Sequence, residues 1–131
     1  MRWRHDGVVT DVESLAAAFA TLVPLQIREM HHHAPALTVL GDGWSLSLLG
    51  AWTWQRNGAV VAEGGNDSGS DELWALCGLE VLAVRLLKAS CLGDCAFDLS
   101  DGGSLETRSD RTGNDTWLFR HDDLDRVFIG Q

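Results

Sequence analysis

The chain contains no tyrosine, only two prolines and a single lysine among its 131 residues. It also lacks any apolar run near the ~18 residues that a membrane-spanning helix needs, so the sequence predicts no such helix. Basic side chains are scarce: ten stand against 19 acidic ones, and the formal net charge is −9. Because an acidic surface repels phosphate backbones and anionic lipids, this charge argues against binding nucleic acid or a membrane and permits a basic protein partner.

Cysteine is scarce as well, with Cys77, Cys91 and Cys95 as the three examples. An odd number without a disulfide spacing predicts reduced thiols and a cytoplasmic protein. Residues 1–6 contain no apolar segment of a secretory signal, which agrees with that location. Three residues separate Cys91 from Cys95, unlike the two of zinc knuckles and redox motifs, so we expect structural thiols.

The composition is that of one globular domain, with 45% hydrophobic and 22% charged residues. Residues 10–23 are predicted to form a helix that Pro24 ends. Its apolar face consists of Val12, Leu15, Ala16, Phe19, Leu22 and Val23. The rest of the chain shows the two-residue alternation of strands, most clearly in residues 44–48. We therefore predict a single α+β domain over residues 1–131, antiparallel and β-rich, with the N-terminal helix packed on it.

Turn signals and alternation place the individual strands. Asn57-Gly58 is the strongest hairpin signal, and residues 41–43 and 101–103 are further turns. One strand is expected through Leu25, Ile27 and Met30, and a short helical turn over residues 71–76. The other predicted strands are residues 37–40, 44–48, 52–56, 59–61, 79–87, 95–99, 104–108, 117–119 and 126–129.

Two local matches predict an internal duplication. Residues 22–27 resemble residues 76–81, and residues 42–46 resemble residues 101–105. The fold would then consist of two similar β-meander halves, about 22–63 and 76–131, with a flexible connection over residues 64–70. The alternative is that such short matches arise wherever strands meet turns.

The order of motifs from Leu76 to Trp117 is Leu-x-Gly-Leu-x-Val, a strand, Asp-Gly, a second strand and a tryptophan. This order resembles small bacterial β-rich proteins, some of them uncharacterised and some similar to immunity proteins encoded beside secreted toxins. The resemblance covers the second half well and the first half loosely. It implies a cytosolic, acidic, partner-binding domain and carries over no catalytic residue.

The consecutive residues His31, His32 and His33 are a candidate metal site, because neutral imidazoles bind zinc, nickel or copper. Adjacent residues of a strand point to opposite faces, however, so three in a row do not converge. We predict an exposed loop there, and no metal or other cofactor. A metal-binding protein or hydrolase that uses this triplet remains the alternative.

The acidic residues are concentrated toward the end of the chain, where residues 94–125 hold nine carboxylates and three arginines. Such a face would attract a basic protein and steer its association. The predicted partner-binding residues are Asp115, Trp117, Asp122, Asp123 and Asp125. We expect no catalytic residue, and an immunity protein that neutralises a basic toxin, such as a nuclease, by occluding its active site. A homo-oligomer assembled through exposed sheet edges is a further alternative.

Trp52 and Trp54 lie two residues apart and so share one face of a strand, with Trp44 on the preceding strand. Each indole buries a large area when it is packed. We predict that the three fill the core, and the alternative is an exposed interface.

Overall fold

A computed structural model describes residues 8–9, 12–33, 35–64, 71–88, 93–109, 115–124 and 127–130. These residues form one α-helix, α1 (Val12–Leu22), one 3₁₀ helix (Glu72–Leu76) and twelve strands. The strands are β1 (Val8–Val9), β2 (Leu25–Gln26), β3 (Glu29–His33), β4 (Ala36–Gly41), β5 (Trp44–Leu48), β6 (Ala51–Arg56), β7 (Ala59–Glu63), β8 (Glu80–Leu86), β9 (Cys95–Leu99), β10 (Ser104–Arg108), β11 (Trp117–His121) and β12 (Val127–Gly130). The predicted α+β class, mostly antiparallel, is confirmed.

The described strands form two six-stranded sheets. Sheet 1 has the order β1-β12-β11-β5-β4-β3, and sheet 2 has the order β2-β8-β9-β10-β6-β7. β1 and β12 pair in parallel, and the other pairs among the described strands are antiparallel. Each sheet therefore joins a three-stranded meander from one half of the chain to a hairpin from the other half, and β1 or β2 completes the sheet at one edge.

The two sheets pack face to face on one core. The ring of Phe97 in sheet 2 lies edge-on to that of Trp117 in sheet 1, with centroids 5.5 Å apart. Phe19 of α1 reaches both sheets, with its ring centroid 4.6 Å from Phe119 and 6.1 Å from Phe97. Leu15 and Phe19 of the predicted apolar face are thus buried, whereas Ala16, which we also placed on that face, is exposed.

Local turn chemistry is confirmed at the β6–β7 hairpin. Asn57 and Gly58 have φ angles of 53° and 79°, the positive values that a type I′ turn requires. Burial in β5 alternates with the serines on the outside, as the sequence predicted. Trp44, Trp52 and Trp54 are at most 6% exposed, so the core-filling prediction for them is confirmed.

Residues 25–33 differ from the prediction of one strand followed by a histidine loop. Leu25 pairs in sheet 2, whereas His31, His32 and His33 belong to β3 of sheet 1. The amide of Ile27 donates to the carbonyl of Leu79, just before β8 of sheet 2, and the amide of Arg28 donates to the carbonyl of Leu40 in β4 of sheet 1. β2 and β3 are both extended, so side chains alternate in the same way along each of them. This alternation therefore does not show that the chain passes from sheet 2 to sheet 1 between the two strands.

Three tryptophan side chains lie close to glycines in or just after the neighbouring strand. Trp44 pairs with Gly41 across β4 and β5, and Trp117 pairs with Gly130 across β11 and β12. Gly64 follows β7 and donates its amide hydrogen to the carbonyl of Trp52, with N and O 2.9 Å apart. A Cβ atom at any of these glycines would overlap the facing indole, so the missing side chain makes room for the ring.

No described helix has the length and apolar character needed to cross a lipid bilayer. Cys95 is buried in β9 and Cys77 is half-buried. Cys91 lies outside the described residues.

We expect Gly130→Ala to lower the free energy of unfolding by about 1–3 kcal/mol, because the added methyl group must displace a fully buried indole. Gly50→Ala is the matched control, since a Cβ atom there would come no closer than 3.9 Å to Thr116. Urea unfolding followed by circular dichroism measures both. Equal losses from the two substitutions would contradict the role of the glycine contact.

We also expect that, after cleavage at a protease site inserted within residues 65–70, the two fragments stay associated under native conditions. Strands from both sides of the cut share each sheet, so the pieces separate only when both sheets unfold. Gel filtration before and after denaturation measures this, and two pieces that elute separately without denaturant would contradict it.

Candidate partner-binding surface

Two hairpin turns of sheet 1 lie side by side and carry three exposed carboxylates. β11 pairs with β5, and the amide of Asp122 donates a hydrogen bond to the carbonyl of Gly43, with N and O 2.7 Å apart. Asp42 stands in the first turn, and Asp122 and Asp123 stand in the second. We call these three residues the acidic tip.

A crossing segment places a turn of sheet 2 at the same end of the molecule. Ile27 donates its amide hydrogen to the carbonyl of Leu79, beside the start of β8. Arg28 donates its amide hydrogen to the carbonyl of Leu40, near the end of β4. The N–O distance is 2.8 Å in both hydrogen bonds. β8 begins beside the end of β9, where the β9–β10 turn follows. Asp101 of that turn therefore lies at the same end as the acidic tip.

The acidic segment from residue 94 to residue 125 is not the uniform negative face that the sequence suggested. Among the described residues, four of its carboxylates form ion pairs with cations of the same chain. The pairs are Lys88–Asp94, Arg85–Asp98, Arg56–Asp101 and Arg108–Glu106, with N–O distances of 3.4, 2.8, 3.0 and 3.2 Å. These pairs partly neutralise the negative charge of the segment.

The four predicted partner-binding residues that the structure describes do not form one surface. Trp117 is completely buried, so its indole belongs to the core and is not available to a partner. Asp115 precedes the five-residue strand β11 and Asp122 follows it, which places the two about 20 Å apart. Asp122 and Asp123 are exposed neighbours at one end, and Asp125 lies outside the described residues.

Among the described residues, Asp122 and Asp123 make no ion pair. Asp42 contacts Arg28, with Oδ2 3.0 Å from Nε, but both side chains are more than half exposed. Exposed ion pairs contribute little to the stability of the fold, so the Asp42 carboxylate can exchange Arg28 for a cation of a partner. The tip therefore keeps most of its charge toward solvent.

The three histidines lie on an outer strand of sheet 1 and do not converge. His31 and His33 point outward, whereas His32 points inward with its ring 6.0 Å from that of Trp52. Nε2 of His31 is 3.5 Å from a carboxylate oxygen of Glu29. Within the described part of the chain, no three histidine, cysteine, aspartate or glutamate side chains gather where they could hold a metal ion.

The sequence prediction missed a second acidic segment around the 3₁₀ helix. Residues 57–84 contain five carboxylates and no lysine, arginine or histidine. Trp74 is 64% exposed, although the other described tryptophans are buried. Asp71 and Glu72 beside it are exposed as well. A 28-residue run without a cation, with a tryptophan inside it, was the signal in the sequence.

Asp94 is a buried carboxylate just before the start of β9, and it lies away from the acidic tip. It accepts a hydrogen bond of 2.5 Å from the amide of Ser109, and its other oxygen is 3.4 Å from the ammonium of Lys88. Burial by itself would raise the pKa of Asp94. The Ser109 amide and the charges of Lys88 and Arg108 outweigh that effect and hold the pKa below its usual value.

We expect Asp94→Asn to lower the free energy of unfolding by about 1–3 kcal/mol at neutral pH. A lowered folded-state pKa stabilises the fold above the unfolded-state pKa, and this contribution disappears as the pH falls through the folded-state value. Stability in urea, followed from neutral pH to about pH 2, should thus fall less steeply in the variant than in the wild type. Parallel acid curves would contradict the assignment.

No protein-family model matches this chain, and neither a curated protein nor a solved structure is detectably similar to it. These comparisons assign no family. The function has to be argued from the surface itself.

Proposed function

We propose that this protein binds a basic protein partner through the acidic tip. The observation that carries the proposal is the exposure of Asp122 and Asp123 without an ion-pair partner among the described residues. Four other carboxylates among the described residues pair with cations of the chain, whereas the charges of Asp122 and Asp123 stay available to a partner. Complementary charge of this kind sets the association rate and the choice of partner.

The tip is held by rigid elements, which favours binding. β5 and β11 pair over five residues, and the hydrogen bond from Asp122 to Gly43 fixes the two turns to each other. A preformed surface loses little conformational entropy on association. We therefore expect the tip to dock without rearrangement.

We further propose that the partner is a toxin and that the protein is its cytoplasmic immunity protein. A nuclease is the clearest candidate, because it needs a basic active site to hold a phosphate backbone. An acidic tip carried on two paired strands has the charge to occupy such a site. The net charge of −9 supports this choice, since it also disfavours competition by nucleic acid.

We infer that the two halves arose by duplication, and symmetric pairing supports this. In the matched segments Leu25 corresponds to Leu79 and Ile27 to Val81. Leu25 pairs with Val81, and Ile27 donates its amide hydrogen to Leu79. If residues 22–27 and 76–81 exchange places, the contact of Leu25 with Val81 becomes the contact of Leu79 with Ile27. A two-fold axis near Gln26 would relate the two segments in this way.

The tryptophan–glycine contacts support the same inference. Trp52 on Gly64 and Trp117 on Gly130 occupy corresponding places, each in the hairpin that follows a three-stranded meander. In each sheet the hairpin from one half pairs with the meander from the other half. A fused dimer of one ancestral half would have this arrangement.

The test is the association rate with a partner captured on immobilised protein and then identified. Asp122→Asn with Asp123→Asn should slow association about three- to tenfold at low salt, because the steering charge is lost. For the wild type the rate should fall as salt rises. Stopped-flow fluorescence measures both.

Ala17→Lys with Ala20→Lys is the matched control, since it also raises the net charge by two but on the exposed side of α1. We expect this control to slow association less than the tip variant. Equal effects of the two variants, or a wild-type rate independent of salt, would overturn the proposal.

A further inference from the structure

We propose that Asp71, Glu72 and Trp74, on the exposed side of the 3₁₀ helix, form a docking site for an arginine side chain of a basic protein. We call these three residues the Trp74 face. This inference rests on the proposed function for the class of partner. It assigns a different surface of the molecule from the acidic tip.

The geometry of the 3₁₀ helix divides its residues between core and solvent. Three residues complete a turn, so positions three apart lie one above the other. Leu73 and Leu76 are completely buried and anchor the helix between β3 and β7. Asp71 has helical angles of φ −71° and ψ −33°, so it lies one turn, about 6 Å, from Trp74 on the same side of the helix.

The carboxylate of Asp71 is not used by the helix itself. Asp71 occupies the N-cap position, yet its side chain makes no capping hydrogen bond. Neither Asp71 nor Glu72 forms an ion pair with another described residue. Both carboxylates can therefore accept hydrogen bonds from a partner.

Trp74 is held by its backbone while its side chain is exposed. Its carbonyl accepts a hydrogen bond from the Cys77 amide, with N and O 3.2 Å apart. Its 64% exposure is the largest among the exposed large hydrophobic side chains of the described residues. Tryptophan on a rigid element is a frequent centre of protein–protein binding energy, because it buries a large area at little cost in entropy.

Charge complementarity identifies the occupant as a cation, and arginine fits it best. No basic residue occurs in residues 57–84, so an incoming cation meets no like charge from this segment. A guanidinium group can stack on the indole and donate to a neighbouring carboxylate at the same time. The compact ammonium of lysine cannot stack in this way.

The probe is a short peptide that alternates glycine and arginine, added to the full-length ¹⁵N-labelled protein at low salt. We expect shifts of the Trp74 indole and of the amides of residues 71–77. Trp74→Ala should weaken this binding about two- to fivefold, with Trp74→Phe intermediate. The same peptide with lysine in place of arginine should bind more weakly.

Val60→Ala is the matched control, because Val60 is also an exposed apolar side chain, at 54%. It should leave the peptide affinity unchanged. Circular dichroism checks that each variant is folded.

The residues whose signals shift in the peptide titration decide between the Trp74 face and the acidic tip. Shifts only at Asp122 and Asp123 would overturn the Trp74 face and leave the acidic tip in place. Shifts at residues 71–77 that Asp122→Asn with Asp123→Asn does not alter would support the Trp74 face, even if the acidic tip failed its own test. No binding, or an affinity that Trp74→Ala leaves unchanged, would overturn the inference. So would a dimer in sedimentation that Trp74→Ala abolishes, since a second copy would then occupy the face.

Discussion

The pairing of β5 with β11, and of β10 with β6, is the constraint on which the rest of the molecule depends. Each pair joins strands from the two halves of the chain, so neither sheet is complete without both halves. The first pair also sets the two turns of the acidic tip beside each other. The position of the tip is therefore a consequence of contacts between residues more than 60 positions apart in the sequence.

Electrostatics in this molecule separates into charges that hold the fold and charges that face solvent. Asp94, just before the start of β9, contacts Lys88 after the end of β8 and Ser109 after the end of β10. Asp98 accepts hydrogen bonds from two nitrogens of Arg85. The hydrogen bond to Asp98 raises the pKa of Arg85 above its usual value. Asp122 and Asp123 have no such role, so removing their charge should affect association more than stability.

The sequence alone sufficed where local chemistry decides the structure. The alternation in residues 44–48 predicted β5, and the turn at residues 101–103 with its flanking strands predicted β9 and β10, all with the observed bounds. Asn57-Gly58 predicted the β6–β7 turn. Long-range pairing is not visible in such patterns. Trp117 follows Asp115 and so resembled a surface residue, but its burial is decided by β5 and β12 on either side. The same holds for the charges, since Arg85 meets Asp98 only because β8 and β9 pair. Trp74 was detectable in principle, because residues 57–84 contain no cation.

The contrast between Trp74 and its buried counterparts also makes the protein its own optical reporter. Trp44, Trp52, Trp54 and Trp117 lie in the apolar core, whereas Trp74 is largely hydrated. Emission that is red-shifted and quenched by acrylamide, obtained as the difference between wild type and Trp74→Phe, would therefore isolate this one indole. The approach of any molecule to the 3₁₀ helix could then be followed without attaching a dye.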